Sequence, residues 1–235
     1  MTARNERWMA LGHDAPLIQE NWSVLCDFDG TISHQDVTDS LLRTFGQPGW
    51  EAVEEQWERG EIGSRVCLTR QVELLRMTVA QLYDHLTSIT LDAAFPAFLD
   101  VARARGMPVQ ILSDGLAQAI AFVLQRHGIS GLPIYANALE SAGETRWRLR
   151  TPYFRHDCPA ASAHCKCSQL SGTTRRTLYI GDGSSDFCIA AKADMVLAKG
   201  KLADYCRARG IDHHPIHDFN DALVYLSQRA CVMTP

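Results

Sequence analysis

Short apolar runs alternate with longer segments of helical periodicity along most of the chain. The runs cover residues 23–28, 109–112, 134–137, 147–149, 177–180, 195–197 and 214–216. Runs of this length, bounded by glycine or polar residues, predict buried strands. Most are separated by segments in which apolar residues recur every three or four positions, as in amphipathic helices. This alternation predicts a doubly wound α/β core, with a parallel sheet covered on both faces.

One long region carries no strand pattern. From about residue 36 to 90, large apolar residues repeat only at helical spacing: Leu41, Leu42, Phe45, Leu68, Val72, Leu75, Leu82, Leu86 and Ile89. This periodicity predicts a small helical bundle inserted after the first strand. We therefore expect a catalytic core formed by residues 1–33 and 93–235, and a helical cap formed by residues 34–92.

Two local signals mark the ends of elements. Thr78 and Gln81 have the spacing of a capping box, in which each side chain bonds a free amide at the start of a helix. The runs at 134–137 and 147–149 flank a polar turn that contains Gly143, and this arrangement predicts a hairpin.

Composition and charge exclude several classes of protein. The 235 residues are 46% hydrophobic and 21% charged, which is typical of a globular protein. The net charge of -4, without a dense basic cluster, argues against nucleic acid as a partner. No apolar run approaches the roughly 20 residues that span a bilayer, and residues 1–16 lack the apolar centre of a secretory signal. We expect no membrane partner and a cytoplasmic location. The sequence does not predict an oligomeric state.

Three predicted strands end in a polar residue: Asp27, Ser113 and Asp182. In open parallel sheets, ligands bind beyond the carboxyl ends of the strands, so these side chains are expected to converge on one crevice. Carboxylates of this kind suit Mg²⁺, a hard cation that prefers oxygen ligands. The spacing therefore predicts a site that holds a cation and a phosphate group together.

The same residues suggest a reaction. A carboxylate such as Asp27 can take a phosphoryl group and divide a hydrolysis into two easier steps. Asp29 lies two residues further on and, in an extended chain, points to the same side, where it could act as general acid and base. The transferring phosphoryl group also needs cationic support, for which Lys166 is the candidate.

The segment Asp27-Phe28-Asp29-Gly30-Thr31-Ile32 resembles the first motif of haloacid dehalogenase-type phosphatases. The run Ile-Leu-Ser-Asp-Gly around Ser113 resembles the second motif, and residues 181–186 resemble the acidic fourth motif. Lys166 matches the position of the lysine in the third motif. The resemblance implies a Rossmann-like core with a cap, and phosphate contacts from Thr31, Ser113, Asp114 and Gly115. It also implies Mg²⁺ ligands from the Asp27 carboxylate, the Asp29 main-chain carbonyl and Asp182, with Asp186 in a supporting role.

Within that family the chain is similar to the phosphoserine-phosphatase-like branch. The run from Ala198 to Cys206 resembles methionine-salvage phosphatases that act on 2-hydroxy-3-keto-5-methylthiopentenyl-1-phosphate, and the segment from Cys158 resembles phosphoethanolamine and phosphocholine phosphatases. The implied substrate is a small phosphorylated metabolite, with phosphoserine as a further alternative. From the cap, His34 and Arg65 are the preferred candidates for substrate contacts.

Three of the eight cysteines, Cys158, Cys165 and Cys167, fall close together. A structural Zn²⁺ site is one interpretation, although the spacing is not a standard paired pattern, and partly buried thiols around Lys166 are the other. Two alternatives to a phosphatase follow. One is a mutase or phosphotransferase on the same scaffold, and the other is a zinc-stabilised, non-catalytic binding module.

Overall fold

A computed structural model describes residues 21–158, 160–171 and 173–228. Seven strands form one sheet: β1 Trp22–Cys26, β2 Val109–Leu116, β3 Ile134–Ser141, β4 Trp147–Arg150, β5 Arg176–Gly181, β6 Met195–Ala198 and β7 His214–Pro215. Their order across the sheet is β4-β3-β2-β1-β5-β6-β7. Neighbouring strands are parallel, except that β4 pairs with β3 in the antiparallel sense. The predicted α/β fold is therefore confirmed. The expectation about a secretory signal concerns residues 1–16, which lie outside the described residues.

Helices connect these strands. They are α1 Val37–Phe45, α2 Trp50–Glu58, α3 Ser64–Leu74, α4 Val79–Leu86, α5 Phe95–Ala104, α6 Ala117–Arg126, α7 Phe187–Ala190, α8 Gly200–Arg209 and α9 Phe219–Gln228. Short 3₁₀ helices at Lys166–Leu170 and Ser184–Asp186 flank β5. Helices α1 to α4 lie between β1 and β2, where the helical insertion was predicted. The division at residues 34 and 92 into a cap and a core stays a prediction.

Local sequence explains where two of these elements begin and end. The capping box at the start of α4 is present, because Thr78 N donates to Gln81 Oε1 at 2.8 Å and Gln81 N donates to Thr78 Oγ1 at 3.2 Å. The predicted hairpin is β3 and β4, with Gly143 in the turn at a φ of 147°. Both local predictions are confirmed.

Strand β2 differs from its prediction. It continues four residues beyond Leu112, and its register with β3 shifts between Leu112 and Leu116. Ser113 therefore lies within the strand rather than just after it. Ser113 and Gly115 leave the regular ladder at this irregularity, and Gly115 N donates to Ser113 Oγ at 2.9 Å instead.

The helical segment between β1 and β2 is tied to the core at its ends and along its side. Ser33 and Leu91 form an isolated antiparallel bridge, so the two ends of the segment lie side by side. Trp147 Nε1, from β4, donates to the carbonyl of Met77 at 2.9 Å. In the described part of the chain, no helix has the length and apolar character needed to cross a bilayer.

Candidate active site

The polar ends of β1, β2 and β5 meet at one edge of the sheet. These strands are adjacent in the sheet, with β1 in the middle, so Asp27 is flanked by Ser113 on one side and Asp182 on the other. All three line a cavity of about 450 Å³ whose opposite wall is formed by α1, α2 and α3. The convergence predicted from the sequence is therefore present.

A buried ion-pair network lies beneath this cavity. Lys166 begins a 3₁₀ helix, is fully buried, and places its Nζ 2.9 Å from Asp27 Oδ1 and 2.6 Å from Asp186 Oδ1. Burial opposes a charged lysine, but the Asp186 and Asp27 carboxylates outweigh it and hold the pKa of Lys166 above its usual range. The lysine is therefore a fixed ammonium group beside the predicted nucleophile.

Asp186 is held by donors on every side. Besides Lys166, its carboxylate accepts hydrogen bonds from the buried Tyr179 hydroxyl, from Asp182 N at 2.9 Å and from Gly183 N at 3.0 Å. These bonds fix the loop that presents Asp182 to the cavity. The geometry favours a positioning role for Asp186, in agreement with the supporting role that the family resemblance implies.

Three carboxylates crowd together at the edge of the sheet. Asp27, Asp182 and Asp186 each offer an oxygen within 4.8 Å of the others. Burial, and then the Asp186 carboxylate, raise the pKa of Asp27 and of Asp182 above the ordinary range for aspartate. A divalent cation would relieve this surplus of negative charge, and oxygen ligands of this kind suit Mg²⁺. The residues present therefore fit the magnesium site that the sequence predicts.

Asp29 lines the same cavity as Asp27 and accepts two hydrogen bonds. Its Oδ1 accepts from Val37 N at 2.9 Å and its Oδ2 accepts from Ser113 Oγ at 3.3 Å. Burial raises the pKa of Asp29 to about 6, against the opposing effect of those two hydrogen bonds. A carboxyl with this pKa can both give and take a proton near neutral pH.

Glycines allow the acidic groups to approach the backbone. A Cβ at Gly115 would collide with Asp29 Oδ2, and one at Gly181 would collide with Asp186 Oδ2. Gly30 has a φ of 71°, and a Cβ there would lie 2.5 Å from an oxygen of Asp182. Glycine is required at Gly30 on both counts, since few other residues adopt a positive φ without strain.

Thr31 and Lys199 support Asp182 and the first motif. Thr31 Oγ1 donates to Asp182 Oδ1 at 2.8 Å, so its hydroxyl contacts a carboxylate rather than the expected phosphate position. Lys199 Nζ donates to the carbonyl of Gly30 at 2.9 Å. Only Lys166 was predicted from the sequence as the cation that supports the phosphoryl group. Lys199 comes directly after β6, however, and the end of a strand was a usable signal.

Asp114 joins the helical segment to the core. Its Oδ2 accepts from Ser64 Oγ at 2.5 Å, its Oδ1 accepts from His164 N at 2.5 Å, and Ala163 N donates to the same Ser64 hydroxyl at 3.1 Å. Asp114 was expected to contact phosphate. It does line the cavity, but its carboxylate is used to hold α3 against the segment that carries Lys166.

The structure does not bring His34 and Arg65 to the cavity wall. Arg65 lies over the ring of Phe154, with its Cζ 3.9 Å from the ring centroid, and its Nε donates to Thr151 Oγ1. His34 is exposed and does not line the cavity. The wall contributed by α1, α2 and α3 consists instead of residues that sequence reasoning did not select or did not prefer: Asp36, Thr38, Asp39, Glu54, Trp57, Glu58, Ser64, Cys67, Leu68 and Gln71.

The zinc prediction finds no support. Cys158, Cys165 and Cys167 are buried, and the sulfurs of Cys165 and Cys167 lie 3.5 Å apart. Among the described residues, only the aspartate group brings three candidate ligand atoms within 4.8 Å of one another. The thiols fit the alternative interpretation, in which they are small buried side chains around Lys166. A zinc-stabilised binding module therefore loses its basis.

Comparison with known proteins places this geometry in a family. A model of haloacid dehalogenase-like hydrolases matches residues 24–191. A 2-hydroxy-3-keto-5-methylthiopentenyl-1-phosphate phosphatase from an Exiguobacterium strain is 31% identical over 212 residues, which cover 86% of this chain and 96% of that protein. The corresponding enzyme of Geobacillus kaustophilus is 29% identical over 216 residues, covering 89% of this chain and 97% of that protein.

Solved structures share the fold at lower identity. A substrate-bound phosphoserine phosphatase has a TM-score of 0.67 at 18% identity, covering 88% of this chain and 99% of that one. A family hydrolase from Salmonella enterica serovar Typhi has a TM-score of 0.69 at 21% identity, covering 92% of this chain and 77% of that one. With four motifs converging at one edge of the sheet and the family model matching most of the chain, the protein belongs to the haloacid dehalogenase-like hydrolase family.

Proposed function

We propose that this protein is a Mg²⁺-dependent phosphatase that hydrolyses the phosphomonoester of a small metabolite through an aspartyl-phosphate on Asp27. One observation carries the proposal. The Asp27 carboxylate lies in the cavity with the buried Lys166 ammonium 2.9 Å from its Oδ1 and the acid–base candidate Asp29 two residues away. A nucleophile, a fixed cation and a proton donor are thus available to one bound phosphoryl group.

In the first half-reaction Asp27 attacks phosphorus in line with the ester oxygen. The backbone amide of Phe28 donates to Asp27 Oδ1 at 2.8 Å and, with Lys166, fixes the orientation of the carboxylate. Asp29 gives its proton to the leaving oxygen as the ester bond breaks, so the alcohol departs neutral. Ser113 and the nearby amides would hold the phosphoryl oxygens, whose charge persists through the transition state.

In the second half-reaction Asp29, now a carboxylate, takes a proton from water, and the water oxygen attacks the phosphorus of phospho-Asp27. Inorganic phosphate leaves and Asp27 is regenerated. Asp27, the Asp29 carbonyl and Asp182 would hold Mg²⁺, which when bound supplies positive charge to the transferring group. Lys166 supplies a second positive charge from beneath the site.

The proposal predicts that phosphate release requires a divalent cation. Purified protein stripped with a chelator should release no phosphate from p-nitrophenyl phosphate, and adding Mg²⁺ should restore release, because the crowded carboxylates need a counter-ion. Continuous phosphate detection checks both states. The same assay, run on the methylthiopentenyl phosphate named for the relatives and on phosphoserine, phosphoethanolamine and phosphocholine, ranks the substrates. Release that is unchanged after stripping would refute the magnesium assignment.

Replacing Asp29 with asparagine should separate the two half-reactions. Nitrophenolate leaves without a proton, so Asp29→Asn is expected to give a burst of about one nitrophenolate per enzyme and then stall, because no base activates water. For an alkyl phosphate, steady-state kcat/KM should fall about a hundredfold. Stopped-flow absorbance measures the burst. Undiminished steady-state turnover of both esters would contradict the acid–base role.

The pH profile gives an independent check on Asp29. The proton donor must be protonated in the free enzyme, so kcat/KM for an alkyl phosphate should fall as pH rises through the pKa of about 6. The rate of nitrophenolate release from p-nitrophenyl phosphate should show no such decline, since nitrophenolate leaves without a proton. A decline of equal size and midpoint for both esters would assign the titration to another group.

A further inference from the structure

The cavity has an acidic outer wall, opposite the proposed phosphoryl site. Four carboxylates of the helical segment line it, from Asp36, Asp39, Glu54 and Glu58. They are in addition to the aspartates at the edge of the sheet. Of the described residues that line the cavity, Lys201 alone carries a basic side chain, and it lies in α8 on the core side. Among charged side chains, the space for the leaving group is therefore lined mainly by acidic ones on this side.

Among the described residues, three of these four carboxylates, those of Asp36, Glu54 and Glu58, have no ion pair. Glu54 accepts from Gln71 Nε2 at 2.7 Å, and Asp36 accepts from the backbone amide of Asp39 at 2.9 Å, but neither donor is a cation. Asp39 has only a long contact of 3.9 Å with the exposed Arg43. Glu58 has no hydrogen-bond or ion-pair partner among the described residues. An ammonium group that enters the cavity could thus donate hydrogen bonds to these carboxylates.

Two neutral residues of the same wall point independently to a ligand. Thr38 is 5% exposed and lines the cavity, yet its hydroxyl has no hydrogen-bond partner among the described residues. Buried hydroxyls are rarely left unpaired, because the missing bond costs free energy that a bound donor would recover. Trp57 also lines the wall, half-buried, and its indole face is a surface on which cations bind well.

We propose that the leaving group of the substrate carries a protonated amine and no carboxylate, so that the substrate class is a short aminoalkyl phosphate. The inference rests on the proposed phosphatase reaction and specifies which ester it acts on. Phosphate would bind at the edge of the sheet, where Lys166 lies. The ammonium group would reach the acidic wall at the other side of the same 450 Å³ cavity.

Competing substrates lack this match. The methylthiopentenyl group named for the relatives carries a hydroxyl, a ketone and a thioether, none of which is charged, so it would leave the four carboxylates without a counter-ion. Phosphoserine brings a carboxylate as well as an amine. That carboxylate would meet like charges and, among the described lining residues, no arginine. Repulsion of this kind excludes substrates as effectively as attraction selects them.

The test compares three esters of similar size: 2-aminoethyl phosphate, which is the phosphoethanolamine named above; 2-hydroxyethyl phosphate, whose alkyl group is uncharged; and phosphoserine. Only the aminoethyl ester can donate charged hydrogen bonds to the wall carboxylates without bringing a carboxylate of its own. We therefore expect its kcat/KM to exceed that of each other ester by at least about tenfold. The methylthiopentenyl phosphate enters the same series. Its kcat/KM is expected to lie near that of the hydroxyethyl ester.

Variants of the wall connect the preference to these residues. Glu58→Gln and Glu54→Gln keep side-chain size and remove one charge each, and each should lower the aminoethyl-to-hydroxyethyl ratio of kcat/KM severalfold, chiefly through KM. Glu55→Gln is the matched control. Glu55 is exposed on the same helix and does not line the cavity, so the ratio should stay as in the unmodified protein.

The outcomes separate this inference from the function on which it rests. The proposal is overturned if kcat/KM is higher for the hydroxyethyl or the methylthiopentenyl ester than for the aminoethyl ester. It is also overturned if both wall variants leave the aminoethyl-to-hydroxyethyl ratio unchanged. In either case Asp27-dependent phosphate release still stands. Absence of phosphate release from every ester, including p-nitrophenyl phosphate, overturns the phosphatase assignment and the inference with it. Selectivity for the aminoethyl ester that falls in both variants but not in the control supports the proposal.

Discussion

Replacing Asp27 with asparagine is expected to abolish phosphate release, with kcat/KM lowered by about 10⁴-fold or more, because an amide cannot form the aspartyl-phosphate. The asparagine Oδ1 can still accept from Lys166 and from the amide of Phe28, as Asp27 Oδ1 does now. Chemistry is therefore lost while the surrounding hydrogen bonds remain. Phosphate release and the formation of acid-stable, covalently bound phosphate are the measurements.

Stability provides the control for this variant. Burial raises the pKa of Asp27 in the folded protein. A carboxyl whose pKa is raised by folding destabilises the folded state once the pH exceeds the pKa that the group has in the unfolded chain. Without divalent cation at neutral pH, Asp27→Asn should therefore unfold at equal or higher denaturant than the unmodified protein. Exposed Asp212, replaced in the same way, should change neither activity nor stability. Magnesium-dependent turnover that survives in Asp27→Asn would refute the nucleophile.

Replacing Lys166 with methionine should damage both stability and catalysis. Methionine is also unbranched and only one atom shorter, but it leaves the fully buried Asp186 and the nearly buried Asp27 without their counter-ion. Removing one partner of a buried ion pair costs about 3–5 kcal/mol of unfolding free energy. The loss of a fixed cation beside the phosphoryl group should lower kcat by about 10²- to 10³-fold. Denaturant unfolding at neutral pH and steady-state kinetics measure the two effects.

A double variant distinguishes a broken ion pair from poor packing. Lys166→Met combined with Asp186→Asn removes one of the stranded charges, so part of the lost unfolding free energy should return even though kcat stays low. Lys192→Met serves as a control, because Lys192 is exposed and its removal should have little effect on unfolding. Additive losses in the double variant would show that the pair is not coupled as the geometry indicates.

The acidic edge of the sheet could be predicted from sequence because its residues follow local rules. Asp27 and Asp182 come directly after apolar runs, and the order of parallel strands then brings such ends together whatever their separation in the chain. Lys166 was placed by its motif, and its position beside Asp27 required the fold. For Asp27 and Asp182, by contrast, a short stretch of sequence contained the decisive signal.

The wall of the helical segment could not be predicted in the same way. Glu54 and Glu58 belong to α2, which is rich in charge, so nothing local separates a residue facing the cavity from one facing water. Arg65 illustrates the difficulty. Ser64 lines the cavity, whereas the next residue, Arg65, lies over the ring of Phe154. Long-range contacts such as Ser64 with Asp114 depend on how the segment docks, which periodicity does not specify.

The bridge between Ser33 and Leu91 brings the start and the finish of the helical segment to one spot on the sheet. Chain inserted between two such neighbouring points can lengthen, shorten or be exchanged while β1 and β2 keep their register. A change confined to this insert would therefore alter one wall of the cavity without altering the opposite one. Asp27 and Lys166 lie outside this insert, so such a change leaves their positions as they are.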